Sequence, residues 1–173
     1  MTNTPSADTA LPGQRELSMT VLMTPDMANF SGKVHGGAIL KKLDEVAYAC
    51  ASRYSGHYVV TLSVDQVLFK QPIMVGELVT FLASVNHVGR SSMEIGIKVV
   101  AEDIREKLIR HTNSCYLTMV AVDPQGQPAV VPPLSLNTPQ QQLRFEKAAL
   151  RKKLRKQAEQ EEKRAQQYLK DGS

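Results

Sequence analysis

One deep helical stripe sets the terms on which this chain can fold. Ile39, Leu40, Leu43, Val46, Ala47 and Cys50 recur at three- and four-residue steps, the spacing of a helix with one buried face. The pattern predicts a helix over residues 36–54, ended by Gly56. Its entrance is a polar loop carrying Asn29 and Gly32, then His35, Gly36 and Gly37. A stripe of this kind must be covered, and the rest of the chain supplies mainly strands to cover it.

Residues 16–23 alternate, with Leu17, Met19 and Val21 on one face, and predict a first strand ahead of the loop at 24–34. Residues 58–69 are rich in β-branched side chains and read as the second strand. Pro72 and Gly76 mark 71–76 as a turn segment, because proline cannot donate to a central ladder. Residues 77–87 and 91–102 form a hairpin around 88–90, the latter strand pointing Met93, Ile95, Ile97, Val99 and Ala101 one way. After a turn at Glu106–Lys107, residues 108–122 place Leu117, Met119 and Ala121 on one face. The Asp-Pro-Gln-Gly run at 123–126 then stops the sheet. The expectation is α+β: one strand, one long helix, then four antiparallel strands, with the helix packed on a single sheet. A face and an edge of that sheet are left wanting a partner, so dimerisation is expected.

Beyond this domain the chain changes character. Pro128, Pro132, Pro133 and Pro139 mark an extended crossover, and 140–169 is a polar helical run with a thin apolar stripe. Residues 144–173 hold ten Lys/Arg against five Asp/Glu, while 1–143 hold eleven against twelve. The basicity of the chain therefore belongs to its tail, a solvated or partner-packed helix whose Lys147, Arg151, Lys152, Lys153, Arg155 and Lys156 could attract anions. The body is nearly neutral, which argues against a nucleic-acid-binding fold. The division expected is a disordered lead at 1–14, a domain at 15–124, and a crossover with a basic helix at 125–173. No run approaches the roughly 18 apolar residues of a membrane helix, and 1–13 lacks the apolar core of a signal peptide. Cys50 and Cys115 both sit in apolar patterns and read as reduced core thiols, so a cytoplasmic protein is expected.

Chemistry points to the helix entrance. Asp44 lies at the edge of the stripe, two turns or about 10 Å inside the helix. The first amides of a helix lack internal partners and face developing negative charge favourably. Glycine lets a ligand approach them closely. Such a helix start can polarise a thioester or ester carbonyl while a carboxylate activates water. The plainer alternative is that the glycines only ease packing and Asp44 is solvated. There is no Gly-x-Ser-x-Gly elbow. His35, His57, His87 and His111 do not fall at metal-ligand spacings, and no metal site is expected.

Asn29, Gly32, His35-Gly36-Gly37, Leu40 and Asp44, followed by the four-strand meander, resemble the hotdog-fold acyl-CoA thioesterases. The similarity is closer to the bacterial and cytosolic group related to the brain-type acyl-CoA hydrolase, and spans roughly residues 16–124. The resemblance implies an antiparallel sheet of about five strands wrapped around the long helix, with a C-terminal helical extension. It implies dimers that share one continuous sheet, further assembled as trimers of dimers. Asn29 of one subunit would face Asp44 of the other, and amides near Gly36 and Gly37 would hold the oxyanion. Gly89, Arg90, Ser91 and Ser92 match the segment that contacts coenzyme A, where arginine suits phosphate. His35 is counted with these substrate-binding positions as a structural or hydrogen-bonding residue. The implied reaction is hydrolysis of fatty acyl-CoA to fatty acid and coenzyme A. It uses no metal or organic cofactor, since coenzyme A is part of substrate and product.

Asp44 serves either as general base or as nucleophile. Two other functions stay open: a hotdog dehydratase or hydratase using His35, and an acyl-CoA sensor without catalysis. Chain-length preference would depend on which of Met23, Met27, Phe30, Phe69 and Met74 block the acyl tunnel.

Overall fold

A computed structural model of the chain describes residues 14–171, with side chains to Tyr168. The lead expected at 1–14 lies outside the described residues except for Gln14. The elements are β1 (Glu16–Leu22), a single 3₁₀ turn (Pro25–Met27), α1 (Gly36–Ser55), β2 (Tyr58–Val64), β3 (Leu78–Val88), β4 (Ser92–Asp103), β5 (Leu108–Val122) and α2 (Pro139–Asp171). The five strands form one antiparallel sheet in the order β1-β3-β4-β5-β2.

Register explains the core. Pairing sets Leu17 opposite Ala83, Met19 opposite Phe81 and Val21 opposite Val79. Across the next ladders Phe81 meets Val99, Ala83 meets Ile97, Ile97 meets Cys115 and Ile95 meets Leu117. Side chains directly opposite share a face, so one apolar face runs across the sheet. On α1 the buried positions are Ile39, Leu43, Val46, Ala47, Cys50, Ala51, Tyr54 and Ser55, and the helix makes its contacts with all five strands. Gly56 closes α1 in the left-handed conformation, φ +73°, which glycine adopts without a Cβ clash.

Two details depart from the sequence pattern. Leu40 was expected in the buried stripe but is 41% exposed, because the strand that would cover it turns away. That strand, β2, was expected to reach Phe69 and ends at Val64. A bulge between Thr61 and Ser63 disturbs the ladder, and Asp65 N–H gives its bond to Tyr116 O before the chain leaves the sheet. Residues 65–70 instead cross beside α1, where the Phe69 ring lies over Gly36. Packing against the helix entrance here overrides β propensity.

The chain divides into two compact units, one ending at Pro133 and one beginning at Leu134. In the second, α2 exposes Leu143, Leu150 and Leu154, consistent with the thin stripe read from sequence. Among the described residues no helix is long and apolar enough to cross a membrane.

Candidate active site

The loop before α1 is built by one side chain. Asn29 Oδ1 accepts hydrogen bonds from Ser31 N–H at 2.9 Å, Ser31 Oγ at 2.8 Å and Lys33 N–H at 3.2 Å. Its backbone adds Asn29 N to Lys33 O at 2.6 Å, and Gly32 N–H donates to Asn29 O at 3.0 Å. Gly32 takes φ +75° to allow the turn. With two backbone donors on Oδ1, the amide orientation is fixed by the network. Nδ2 has no hydrogen-bond partner among the described residues, so Asn29 presents a donor and cannot accept.

Where the loop enters α1, His35 is the N-cap residue. Its Nδ1 accepts from Gly37 N–H at 2.9 Å, which makes Nε2 the protonated ring nitrogen. The cap occupies one of the two amides expected to hold an oxyanion. Gly37 N–H is engaged by His35, whereas Gly36 N–H has no partner among the described residues. Cys50 and Cys115 are unpaired and buried, and burial pushes both thiols up to about 12. Neither is a nucleophile at neutral pH.

Asp44 emerges on the exposed side of α1, two turns in, beside buried Leu43. The hydroxyl of Thr61 donates to Asp44 Oδ1 at 2.6 Å. Asp44 Oδ2 has no protein partner among the described residues. Thr61 reaches the carboxylate because β2 pairs it opposite Met119, on the sheet face that looks at α1, and its Oγ1 also lies 3.6 Å from Met119 Sδ. Sequence reading missed this residue. It is one polar side chain in the run Tyr-Val-Val-Thr-Leu-Ser-Val, and only the register against β5 reveals what it faces.

The two elements that carry this pair, α1 and β2, help to line an open groove of about 400 Å³ formed by Leu40, Leu43, Val64, Asp65, Val67, Phe69 and Leu117. Leu40 lies one turn before Asp44 on α1, and Leu43 immediately precedes it. Of the residues expected to gate an acyl tunnel, only Phe69 lines the groove. Met23 is wholly buried, Met74 lines a separate cleft with Glu77 and Asp103, and Phe30 stands fully exposed at the tip of the Asn29 loop. Within one chain no hydrogen bond joins Asn29 to Asp44 among the described residues.

Gly89, Arg90 and Ser91 form the β3–β4 connection. Gly89 N–H bonds Ser92 O at 2.7 Å, Ala121 N–H bonds Ser91 O at 2.8 Å, and Val131 N–H bonds Arg90 O at 2.9 Å. The connection thus sits across β5 from β2, at the level of Ala121. That is two residues, or about 7 Å of strand, from the Met119 that Thr61 touches. Arg90 is exposed, and its guanidinium makes no ion pair among the described residues. Among those residues there is also no group of three or more His, Cys, Asp or Glu placed to hold a metal.

Comparison with known proteins agrees with this geometry. Residues 31–108 match the Thioesterase superfamily. The chain is 51% identical over 140 residues to protein VdlD of Helicobacter pylori, covering 81% of this chain and 80% of that one. It is 31% identical to a protein of Zymomonas mobilis named as an uncharacterised acyl-CoA thioester hydrolase, over 69% of this chain and 80% of that one. A hexameric acyl-CoA thioesterase solved without ligand superposes with a TM-score of 0.81 at 34% identity, covering 85% of this chain and 95% of that one. An acyl-CoA hydrolase of Staphylococcus aureus, solved with butyryl coenzyme A and coenzyme A, gives a TM-score of 0.81 at 28% identity, covering 91% and 97%. By fold and by relatives aligned over most of their length, with the superfamily match agreeing, the chain belongs to the hotdog-fold acyl-CoA thioesterases of the thioesterase superfamily.

Proposed function

We propose that the protein hydrolyses acyl-CoA at a site where Asp44 acts on the thioester, assisted by Thr61 and by Asn29 of a partner subunit. The single observation that carries this is the Thr61–Asp44 hydrogen bond between α1 and β2, the two elements that also supply Leu40, Leu43 and Val64 to the apolar groove. It fixes one carboxylate oxygen and leaves the other free to take a proton from water, or to attack the carbonyl carbon itself. Water adds its oxygen to the acyl carbon, the carbon–sulfur bond breaks, and the proton passes to the coenzyme A thiolate. Asn29 Nδ2 and Gly36 N–H are the donors suited to the developing oxyanion, an effect commonly worth about 10²–10³ in rate per donor. The groove takes the acyl chain. The exposed Arg90 on the Gly89–Ser92 turn suits the phosphates of coenzyme A.

Relatives support these assignments. The S. aureus acyl-CoA hydrolase has been characterised with alanine in place of one asparagine, one aspartate and one threonine. Those three positions are separated by 15 and 17 residues, the same intervals that separate Asn29, Asp44 and Thr61. A hexameric acyl-CoA thioesterase and a hexameric thioesterase of Yersinia pestis share the fold. In this chain β2 is an edge strand exposing Tyr58, Val60, Leu62 and Val64. An apolar open edge suits pairing with a second copy, and trimers of such dimers are the proposed assembly. Two unpaired thiols fit a reducing, cytoplasmic setting.

The test is coenzyme A release from acyl-CoA by wild type and Asp44→Ala. The expected loss is roughly 10²–10⁴ in kcat with the fold retained by circular dichroism. A variant as fast as wild type would remove Asp44 from the reaction.

A further inference from the structure

The Asn29 loop is tied to the rest of the domain through one charged pair that the hydrolytic site does not itself use. Glu77 is 4% exposed. It meets Arg110 in a two-pronged contact, Nη1 to Oε1 at 2.6 Å and Nη2 to Oε2 at 2.7 Å. The same ends of both side chains also grip the backbone of the 71–76 segment. Met74 N–H donates to Glu77 Oε2 at 2.9 Å, and Arg110 Nη2 donates to Pro72 O at 2.8 Å. A segment with Pro72 as its second residue and Gly76 at φ +90° as its last has little regular structure of its own. The ion pair gives it a fixed path.

That strap carries the catalytic loop. Val34 N–H donates to Ile73 O at 2.9 Å, and Lys33 forms an antiparallel bridge with Met74. Lys33 in turn closes the Asn29 turn from both sides, accepting from Asn29 N–H and donating to Asn29 Oδ1. An unbroken series of short bonds therefore runs from Arg110 on β5 to the carboxamide of Asn29. We infer that Glu77 and Arg110 are a positioning pair for Asn29, holding its free Nδ2 where the partner subunit's reaction needs a donor. The inference rests on the proposed role of Asn29 in hydrolysis.

The pair is built for placement as well as stability. A part-buried fork-to-fork contact has directional demands that a point charge does not meet. Arg110→Lys keeps the charge but cannot hold both carboxylate oxygens and Pro72 O at once. A purely structural pair would lower the melting temperature and leave each folded molecule equally active. A positioning pair lowers kcat, with KM little changed, because placement matters most in the transition state. The expected loss for Arg110→Lys is about tenfold, short of the roughly 10²-fold that a 1 Å misplacement can cost. Glu77→Gln, which keeps the shape and loses the charge, is expected to fall between wild type and Arg110→Lys.

The deciding measurement is a cycle with Asn29→Ala, read as kcat for coenzyme A release. If the pair acts through Asn29, Arg110→Lys costs nothing further once Asn29 is gone. An equal loss in both backgrounds overturns the inference while leaving Asn29 in the reaction. If Asn29→Ala alone has no effect, the assigned role of Asn29 falls, and this inference with it.

Hydrogen exchange on the wild type covers the case where the variants fail to fold. Burial pushes the Glu77 carboxyl up. Hydrogen bonds from Arg110 and the Met74 amide, with the Arg110 charge, outweigh burial and the opposing Asp103 charge and hold it below its ordinary value. Its contribution is therefore complete above the usual glutamate value of about 4.3 and is lost as pH falls through its depressed folded value. In that acid window Lys33 and Val34 amides should lose protection, after correction for intrinsic rates, before amides of the β4–β5 ladder. Simultaneous loss along both would overturn the inference.

Discussion

Thr61 has only one proton to give, and two acceptors lie within reach: Asp44 Oδ1 at 2.6 Å and Met119 Sδ at 3.6 Å. The carboxylate is the stronger acceptor and the shorter contact, so the proton goes there. Fixing Oδ1 in this way leaves Oδ2 as the oxygen proposed to act on the thioester. Thr61→Val keeps the volume and removes the hydroxyl. A hydrogen bond to a charged group is worth about 1.5–3 kcal/mol, so kcat should fall by roughly 10- to 100-fold. The residue is exposed in the single chain, and its loss should barely move the unfolding midpoint. Thr61→Ser should recover most of the rate. Full activity in Thr61→Val, assayed by thiol release, would mean that the bond to Asp44 has no part in the chemistry.

At the scale of elements, the β3–β4–β5 contact and the groove make separate demands. Ser84 pairs with Gly96, which pairs with Tyr116. A Cβ on Gly96 would overlap Asn86 Nδ2 and come within 3.2 Å of Tyr116 Cε1. Asn86 is 3% exposed and its Oδ1 accepts from Ser84 Oγ, so it has little room to yield. Gly96→Ala should therefore cost about 1–3 kcal/mol, the usual penalty of overpacking, seen as a lowered urea midpoint at unchanged slope. The groove answers to a different measurement. Leu40 stands half-exposed at its wall, and Leu40→Trp should fill part of it without disturbing the core. Each buried methylene is worth about 0.8 kcal/mol, or roughly fourfold. Wild-type kcat/KM should therefore climb along an acyl-chain series and then level off, with the Trp variant levelling at a shorter chain. Identical profiles would place the acyl chain elsewhere. Neither demand was visible in the sequence for the same reason. The alternation of 91–102 shows which side chains point inward, and all of Met93, Ile95, Ile97, Val99 and Ala101 are buried as expected. It does not show how closely a neighbouring strand approaches Gly96. Nor does it show that Val67 and Phe69 leave the sheet to face Leu40. Asp44, by contrast, drew attention from its place beside the stripe, whereas Asn29 was singled out only through the family resemblance.

For the whole molecule the decisive fact is what one chain lacks. Asp44 and Thr61 meet within it, yet Asn29 reaches neither through any hydrogen bond among the described residues. If the site is completed by a second copy, each active site draws Asn29 from one subunit and Asp44 from the other. Asn29→Ala and Asp44→Ala proteins, each nearly inactive alone, should then complement when subunits exchange. Random reassociation gives half of the dimers one chain of each kind. In such a dimer one site carries both lesions and the other carries none, because a two-fold interface uses the same patch twice. An equimolar mixture, unfolded together and refolded, should regain about one quarter of wild-type activity. Coexpression with separable tags should give about one half of wild-type activity in the purified doubly tagged dimer pool, since one of its two sites is intact. A site contained within one chain gives no recovery under either protocol, since every copy would still lack one of its two residues. The mixture experiment therefore separates a shared site from a self-contained one.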